Sequence, residues 1–180
     1  MRTKNYQDES FLETGNNLFN IVERICKDLN TKMKSESYQV KDIIRISKNR
    51  FITLWPNNEP NKLDNKHVKN EYKGIYAFAT KSRQGTIDWQ YIGISQTIKR
   101  RFRGHTTGKT KNDATWAYLM AKNSNKTIKN PISKIEDFQL EHIYPCYFTF
   151  VKIDNDMLLH LCEVYCVNKL KSFWNTFKTH

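Results

Sequence analysis

The sequence predicts an α+β domain. Its centre is a small, mostly antiparallel three-stranded sheet flanked by helices, and a helical extension precedes it. Three observations carry this. Two apolar runs, Gly74-Ile75-Tyr76-Ala77-Phe78-Ala79 and Trp89-Gln90-Tyr91-Ile92-Gly93-Ile94, flank a polar stretch that contains Gly85, which is the pattern of a β-hairpin with a longer loop. A third strand-like run, Tyr147-Phe148-Thr149-Phe150-Val151, lies between helical patterns. Residues 10–33 repeat apolar side chains at near-helical spacing, with Phe11, Leu12, Leu18, Phe19, Ile21, Val22, Ile25 and Leu29.

Taken in order, the first helix is expected within residues 10–33, starting after Gly15 if that residue interrupts it. A second covers Val40 to Ser47. Phe51 to Trp55 reads either as a short strand or as a continuation of that helix. Pro56-Asn57-Asn58-Glu59-Pro60-Asn61 is a turn-rich break. It places a boundary within residues 56–71, between a helical extension over 1–70 and a main domain over 71–180. After the hairpin, Ser95 caps a basic helix from about Gln96 to Gly104, whose Ile98 and Phe102 face the core. Residues Ala114 to Lys122 suggest another helix. The third strand falls within 138–153. Asp154-Asn155-Asp156 then caps a last helix running to about Lys171.

The 180 residues suit one domain with a modest extension. Apolar residues make up 38% and aromatics 13%, enough for one core, so wholesale disorder is excluded. The most apolar stretch, Met157 to Val167, contains His160 and Glu163 and falls well short of the ~20 residues a spanning helix needs. No signal peptide is visible at the N-terminus, and the four cysteines form no C-x-x-C pair. The chain therefore reads as cytoplasmic, with reduced thiols. A zinc site from His160, Cys162 and Cys166 is disfavoured, because residues 160 and 162 leave a helix on different sides.

The net charge is +12, and it is unevenly placed. Residues 71–135 carry 13 basic and 3 acidic side chains, whereas residues 136–180 are net negative. A genome-wide preference for lysine would not concentrate charge in one third of the chain. Such a segment favours a polyanion, most commonly nucleic acid. No long amphipathic helix in it suggests a membrane surface.

The hairpin carries Gly74-Ile75-Tyr76 on one strand and Tyr91-Ile92-Gly93 on the other. Arg101 and His105 follow Tyr91 by 10 and 14 residues, Glu163 lies in the last long helix, and Asn175 follows it by 12. In these residues the segment 72–177 resembles the GIY-YIG nuclease family. The resemblance implies a metal-dependent endonuclease acting on double-stranded DNA with Mg2+ or Mn2+. It implies catalytic roles for Tyr76, Tyr91, Arg101, His105, Glu163 and Asn175, with Glu163 as the metal ligand, and structural roles for Gly74 and Gly93. Two departures stand out: Ile94 follows Gly93 where a polar residue is common, and Gly104 can end the helix just before His105.

The chemistry of these residue types agrees with that implication. Phosphodiester hydrolysis needs its barrier lowered by on the order of 20 kcal/mol, through a positioned water and charge relief on the phosphoryl oxygens. Glu163 is the only acid in an apolar stretch, so its carboxylate needs a cation or good hydrogen bonds. The bland alternative is a salt bridge to Lys169 or Lys152. Arg101 offers forked donors to a phosphate. Cations such as Arg101 or Lys73 would favour a phenolate at Tyr76, which takes a proton from the attacking water while Tyr91 orients it. His105 relays a proton or bonds the phosphate, or is simply a surface histidine. Asn175 braces the site. Lys99, Arg100, Arg103, Lys109 and Lys111 are expected to contact the DNA backbone.

Among nucleases of this kind, compact size with an N-terminal extension resembles the small type II restriction endonucleases. One site per chain then implies a homodimer or higher symmetric oligomer to cut both strands. A phage or mobile-element endonuclease of looser specificity is the alternative, and a non-catalytic nucleic-acid-binding module ranks below both.

Overall fold

The computed structural model describes residues 15–47, 50–53, 72–124 and 130–175. In chain order its elements are α1 (Gly15–Ser35), β1 (Tyr38–Gln39), α2 (Val40–Ile43), β2 (Ile44–Ser47), β3 (Arg50–Thr53), β4 (Gly74–Lys81), β5 (Ile87–Ser95), α3 (Ile98–Thr107) and α4 (Thr115–Ser124). A 3-10 turn (Pro131–Lys134), α5 (Ile135–Phe138), a π-helical turn (Gln139–Ile143), β6 (Tyr147–Lys152) and α6 (Asp156–Leu170) complete the fold. The class is α+β. The break at residues 56–71 and the first turn of the helix expected from residue 10 lie outside the described residues.

The main sheet has four strands in the order β1-β6-β4-β5, one more than the sequence predicts. The addition, β1, is two residues long, too short for an alternating pattern to announce it. The predicted hairpin is β4 and β5, antiparallel, with Tyr76 opposite Gly93 and Phe78 opposite Tyr91. A register shift follows between Phe78 and Ala79. The helix expected over Val40 to Ser47 stops at Ile43 and continues as β2, which pairs antiparallel with β3. Ile44-Arg45-Ile46-Ser47 alternates with period two and carries β-branched residues, which favours a strand. Arg50–Thr53 is correspondingly the strand rather than the helical continuation.

The chain forms two compact units. The first draws on residues through Ser37, Tyr72–Ile98 and the chain from Phe148; the second on Tyr38–Glu71 and Lys99–Tyr147. In the first, β6 lies beside β4. The Ile153 N–H bonds the Lys73 carbonyl at 3.0 Å at one end, and the Phe148 ring sits 5.0 Å from that of Phe78 nearer the other, so these strands run antiparallel. Both residue faces of β4 are buried from Gly74 to Ala79. This is why its sequence is a continuous apolar run rather than an alternation. Helix α1 buries Ile21, Val22, Ile25, Leu29 and Met33. It packs with α6, whose Leu158, Leu159, Cys162 and Cys166 are buried. Asn155 caps α6, its side chain accepting from the Leu158 N–H at 3.0 Å.

In the second unit α3 does not end at Gly104 but runs to Thr107. A Cβ at Gly104 would lie 2.8 Å from the Asp113 carbonyl oxygen, so this glycine admits the passing loop instead of stopping the helix. Residues 131–143 form short helical turns that the sequence reading missed. Asn130 starts them by accepting from the Ile132 N–H, and the buried Gln139 ties them down by donating to the carbonyls of His105 (3.0 Å) and Gly108 (2.9 Å). All four cysteines are free and buried. Among the described residues no group of three or more His, Cys, Asp or Glu could hold a metal ion, and no helix is long and apolar enough to cross a membrane.

Candidate active site

Gly74 and Gly93 are glycines for lack of room, not for backbone torsion. Among the glycines of the described residues only Gly85, in the hairpin loop, has a positive φ, at 81°. A Cβ on Gly74 would lie 2.1 Å from the Val151 carbonyl oxygen, because β6 passes hard against β4 there. A Cβ on Gly93 would meet something different: the Tyr76 phenol, with its oxygen at 2.6 Å, and Tyr91 Cε1 at 3.0 Å. The strand pairing that sets Tyr76 opposite Gly93 thus lays one phenol across the other strand's bare α-carbon.

Tyr76 is buried, its ring centroid 6.2 Å from those of both Tyr91 and Phe148. Tyr91 is half-buried. The two phenols therefore sit side by side on one face of the hairpin, and the inner one is held by aromatic packing.

Glu163 comes to the same hairpin from α6. Its carboxylate lies against the Ile94 backbone N–H, one residue past Gly93. Burial pushes its pKa above the usual glutamate range, and His160 and the Ile94 N–H pull it partly back. Among the described residues neither Lys152 nor Lys169 forms a salt bridge with it, so the bland sequence alternative does not describe this carboxylate. The residue after Gly93 contributes through its backbone, and an apolar side chain at Ile94 costs this contact nothing.

Asn175 holds the outer edge of β5. Its Oδ1 accepts from the Ile92 N–H at 2.7 Å and from the Ser172 hydroxyl at 2.6 Å, and its Nδ2 donates to the Ile92 carbonyl at 2.6 Å. The preceding backbone continues the pattern, with Phe173 and Trp174 N–H groups donating to the Trp89 and Gln90 carbonyls. A strand edge that would otherwise expose its polar backbone is thereby covered. Asn175→Ala removes all three side-chain bonds and is expected to lower stability by about 2 kcal/mol, read from the urea midpoint. Asn175→Asp should cost a similar amount, since it keeps the acceptor for Ile92 N–H but sets oxygen against the Ile92 carbonyl.

Lys73 is not a cation for the phenols. Its ammonium bonds the Asp154 carbonyl at 2.6 Å and Asp156 Oδ1 at 2.7 Å, and Gln96 donates to the same Asp156 oxygen at 2.6 Å. These contacts, led by the Lys73 bond, hold the Asp156 carboxyl below its ordinary range. They fasten the start of α6 to the strand ends that carry the two tyrosines, a positioning role missed in the sequence along with that of Ser172. The spacing of Lys73 and Asp156 gives no hint of their meeting.

Four of the six residues thus belong to the first unit: Tyr76 on β4, Tyr91 on β5, and Glu163 and Asn175 against the β5 backbone at Ile94 and Ile92. Arg101 and His105 belong to the second. The Arg101 guanidinium donates to the carbonyls of Asn112 (3.2 Å) and Asp113 (3.3 Å) and to Thr115 Oγ1 (3.3 Å). His105 is fully buried, edge-on to Trp116 at 6.2 Å between ring centroids, and is not a surface histidine. Burial, with the Arg101 charge beside it, drives its pKa well below the usual value, so it is neutral at neutral pH. Arg100, Arg103, Lys109 and Lys111 are exposed and Lys99 is half-buried. The Lys111 ammonium lies 5.5 Å from the Tyr118 ring.

A lone carboxylate suits Mg2+ or Mn2+ better than a metal needing a full protein cage. Mg2+ keeps several waters and is commonly held by one or two carboxylates together with substrate phosphates. The donor set of Glu163 fits that pattern, and it fits no structural metal. Compared with family models, with curated proteins and with solved structures, the chain matches none.

Proposed function

We propose that the chain is a metal-dependent DNA endonuclease of GIY-YIG type that hydrolyses phosphodiester bonds in double-stranded DNA. In its most specific form it is a sequence-specific type II restriction endonuclease, cytoplasmic and working as a homodimer or higher symmetric oligomer. One observation supports this above the others: the Glu163 carboxylate, paired with no lysine or arginine among the described residues, lies against the backbone N–H of Ile94, next to the glycine that the Tyr76 phenol lies across.

In this reading Glu163 and a substrate phosphate would hold Mg2+ or Mn2+, which supplies charge relief to the phosphoryl and leaving oxygens. Tyr76, as the phenolate, takes the proton of the attacking water and becomes the phenol, and Tyr91 orients that water. Asn175 keeps the β5 backbone in place. Arg101 binds a phosphoryl oxygen, and its bonds to the 112–115 loop fix the direction of the guanidinium. His105 starts neutral, so as a relay it would first accept a proton. The exposed Arg100, Arg103, Lys109 and Lys111, with Lys99, bind the DNA backbone, and removing a contacting lysine makes binding less salt-dependent.

The test is incubation with a long, unmethylated duplex with and without Mg2+. Discrete fragments support restriction, a smear supports a looser endonuclease, and a gel shift without cutting overturns catalysis. Tyr76→Phe keeps the ring and its packing but removes the hydroxyl. Its cleavage rate is expected to fall by about a hundredfold or more with the fold unchanged by circular dichroism. A rate near wild type removes Tyr76 as the base.

A further inference from the structure

Helix α6 is apolar on two opposite sides. One side, with Leu158, Leu159, Cys162 and Cys166, is buried. The other presents Met157 (54% exposed), Leu161 (38%) and Val164 (50%), one turn apart along the axis. His160 and Asn168 are exposed on the same face. No Lys, Arg, Asp or Glu lies on that face, although 27% of the chain is charged. The charged residues of the helix point elsewhere: Asp156 to Lys73 and Gln96, Glu163 to Ile94, and Lys169 to the opposite flank.

We propose that this face is the contact between two copies of the chain, related by a two-fold axis. The inference deepens the oligomer named above, but its argument uses only the surface. An apolar strip on the outer side of a helix calls for cover as the inner one does, and a charge-depleted centre containing Met is the composition of an interface core. Charge selects the occupant. Two chains of +12 repel each other, and a helix face that carries no lysine or arginine lets them meet without adding to that repulsion. A cation-free face has nothing to offer DNA or an anionic membrane. Size sets the strength. Fifteen residues make a strip about 22 Å long and about 10 Å wide. That is the core of a contact rather than the ~800 Å² per partner of a standard interface. The dimer is therefore weak, dissociating in the micromolar range. It also tightens with added salt, which screens the repulsion and leaves the apolar contact intact.

Sedimentation velocity on the full chain, across low to high micromolar concentrations and at low and high salt, tests this. The expected result is a rise from one to two chain masses, occurring at lower concentration in high salt. Leu161→Glu with Val164→Glu should raise the dissociation constant more than about tenfold. A single chain mass throughout overturns the proposal, as does a dimer that weakens with salt or survives the double substitution. Should the double variant lose helix signal, Val164→Cys with a short bis-maleimide replaces it. Cross-linked pairs support the contact and their absence overturns it, the wild-type thiols being buried. Mass and cleavage fail separately: a monomer that cuts with Mg2+ overturns this contact alone, and a dimer that never cuts overturns only the nuclease reading.

Discussion

Glu163→Gln is expected to abolish Mg2+-dependent cleavage, by about a thousandfold or more, without harming the fold. A thousandfold corresponds to about 4 kcal/mol of lost transition-state stabilisation, within what a metal at a phosphoryl centre supplies. Stability should move the other way. Burial raises the Glu163 pKa in the folded chain above its unfolded value. The folded state therefore holds the proton more tightly, and the stability so contributed is present at acid pH. It is lost as pH rises through the native pKa, where a charge must be formed in a half-buried place. Glutamine is never charged, so the variant should match or exceed wild type at neutral pH and lose that advantage on acidification. Urea midpoints at several pH values read this directly. Wild-type cleavage should rise with pH as Glu163 ionises, and the acid limb should shift to lower pH at higher Mg2+, because proton and metal compete for one carboxylate. Retained cleavage in Glu163→Gln would end the metal-ligand reading.

The parts of the fold legible in the sequence are those whose cause is local. The hairpin declares itself because β4 is buried on both faces and the polar loop between the strands is not. Ser95 marks the start of α3 because its hydroxyl accepts from the Thr97 N–H two residues on, at 3.0 Å. The end of α3 is not legible in this way, because the reason for Gly104 is tertiary: another segment's carbonyl occupies the space of its Cβ. Residues 131–143 were missed for the same kind of reason, since Gln139 is fixed by carbonyls 34 and 31 residues away. The site divides similarly. The resemblance of the hairpin tripeptides and the residues after them to a nuclease family is what named Tyr76, Tyr91, Arg101, His105, Glu163 and Asn175. What each touches was beyond reach, because Asn175 finds Ile92 across 83 residues and Lys73 finds Asp154 across 81. The burial of His105 was equally hidden, since its basic neighbours suggested a surface.

The two glycines of the hairpin should separate on substitution, although the sequence treats them alike. Gly74→Ala places a methyl against Val151 oxygen at 2.1 Å, Val151 carbon at 3.0 Å and Lys152 Cα at 3.1 Å. All three are backbone atoms, and no rotamer can relieve the clash. Strand β6 must move off β4, endangering the adjoining Ile153 N–H to Lys73 carbonyl bond and the packing of Phe148 on Phe78 and Tyr76. The expected loss is about 3 kcal/mol, at the upper end of what overpacking causes. It would appear as a large fall in the urea midpoint. Gly93→Ala instead meets the phenolic end of Tyr76 and the edge of Tyr91, which can tilt. It should cost less stability, about 1 kcal/mol, while turning the proposed base away from its water. Among molecules that remain folded, Gly93→Ala should therefore be much the slower nuclease, and Gly74→Ala much the less stable protein. A Gly74→Ala chain that unfolds like wild type would show that β4 and β6 do not approach as closely as described. A fully active Gly93→Ala chain would show that the position of the Tyr76 hydroxyl does not matter to cleavage.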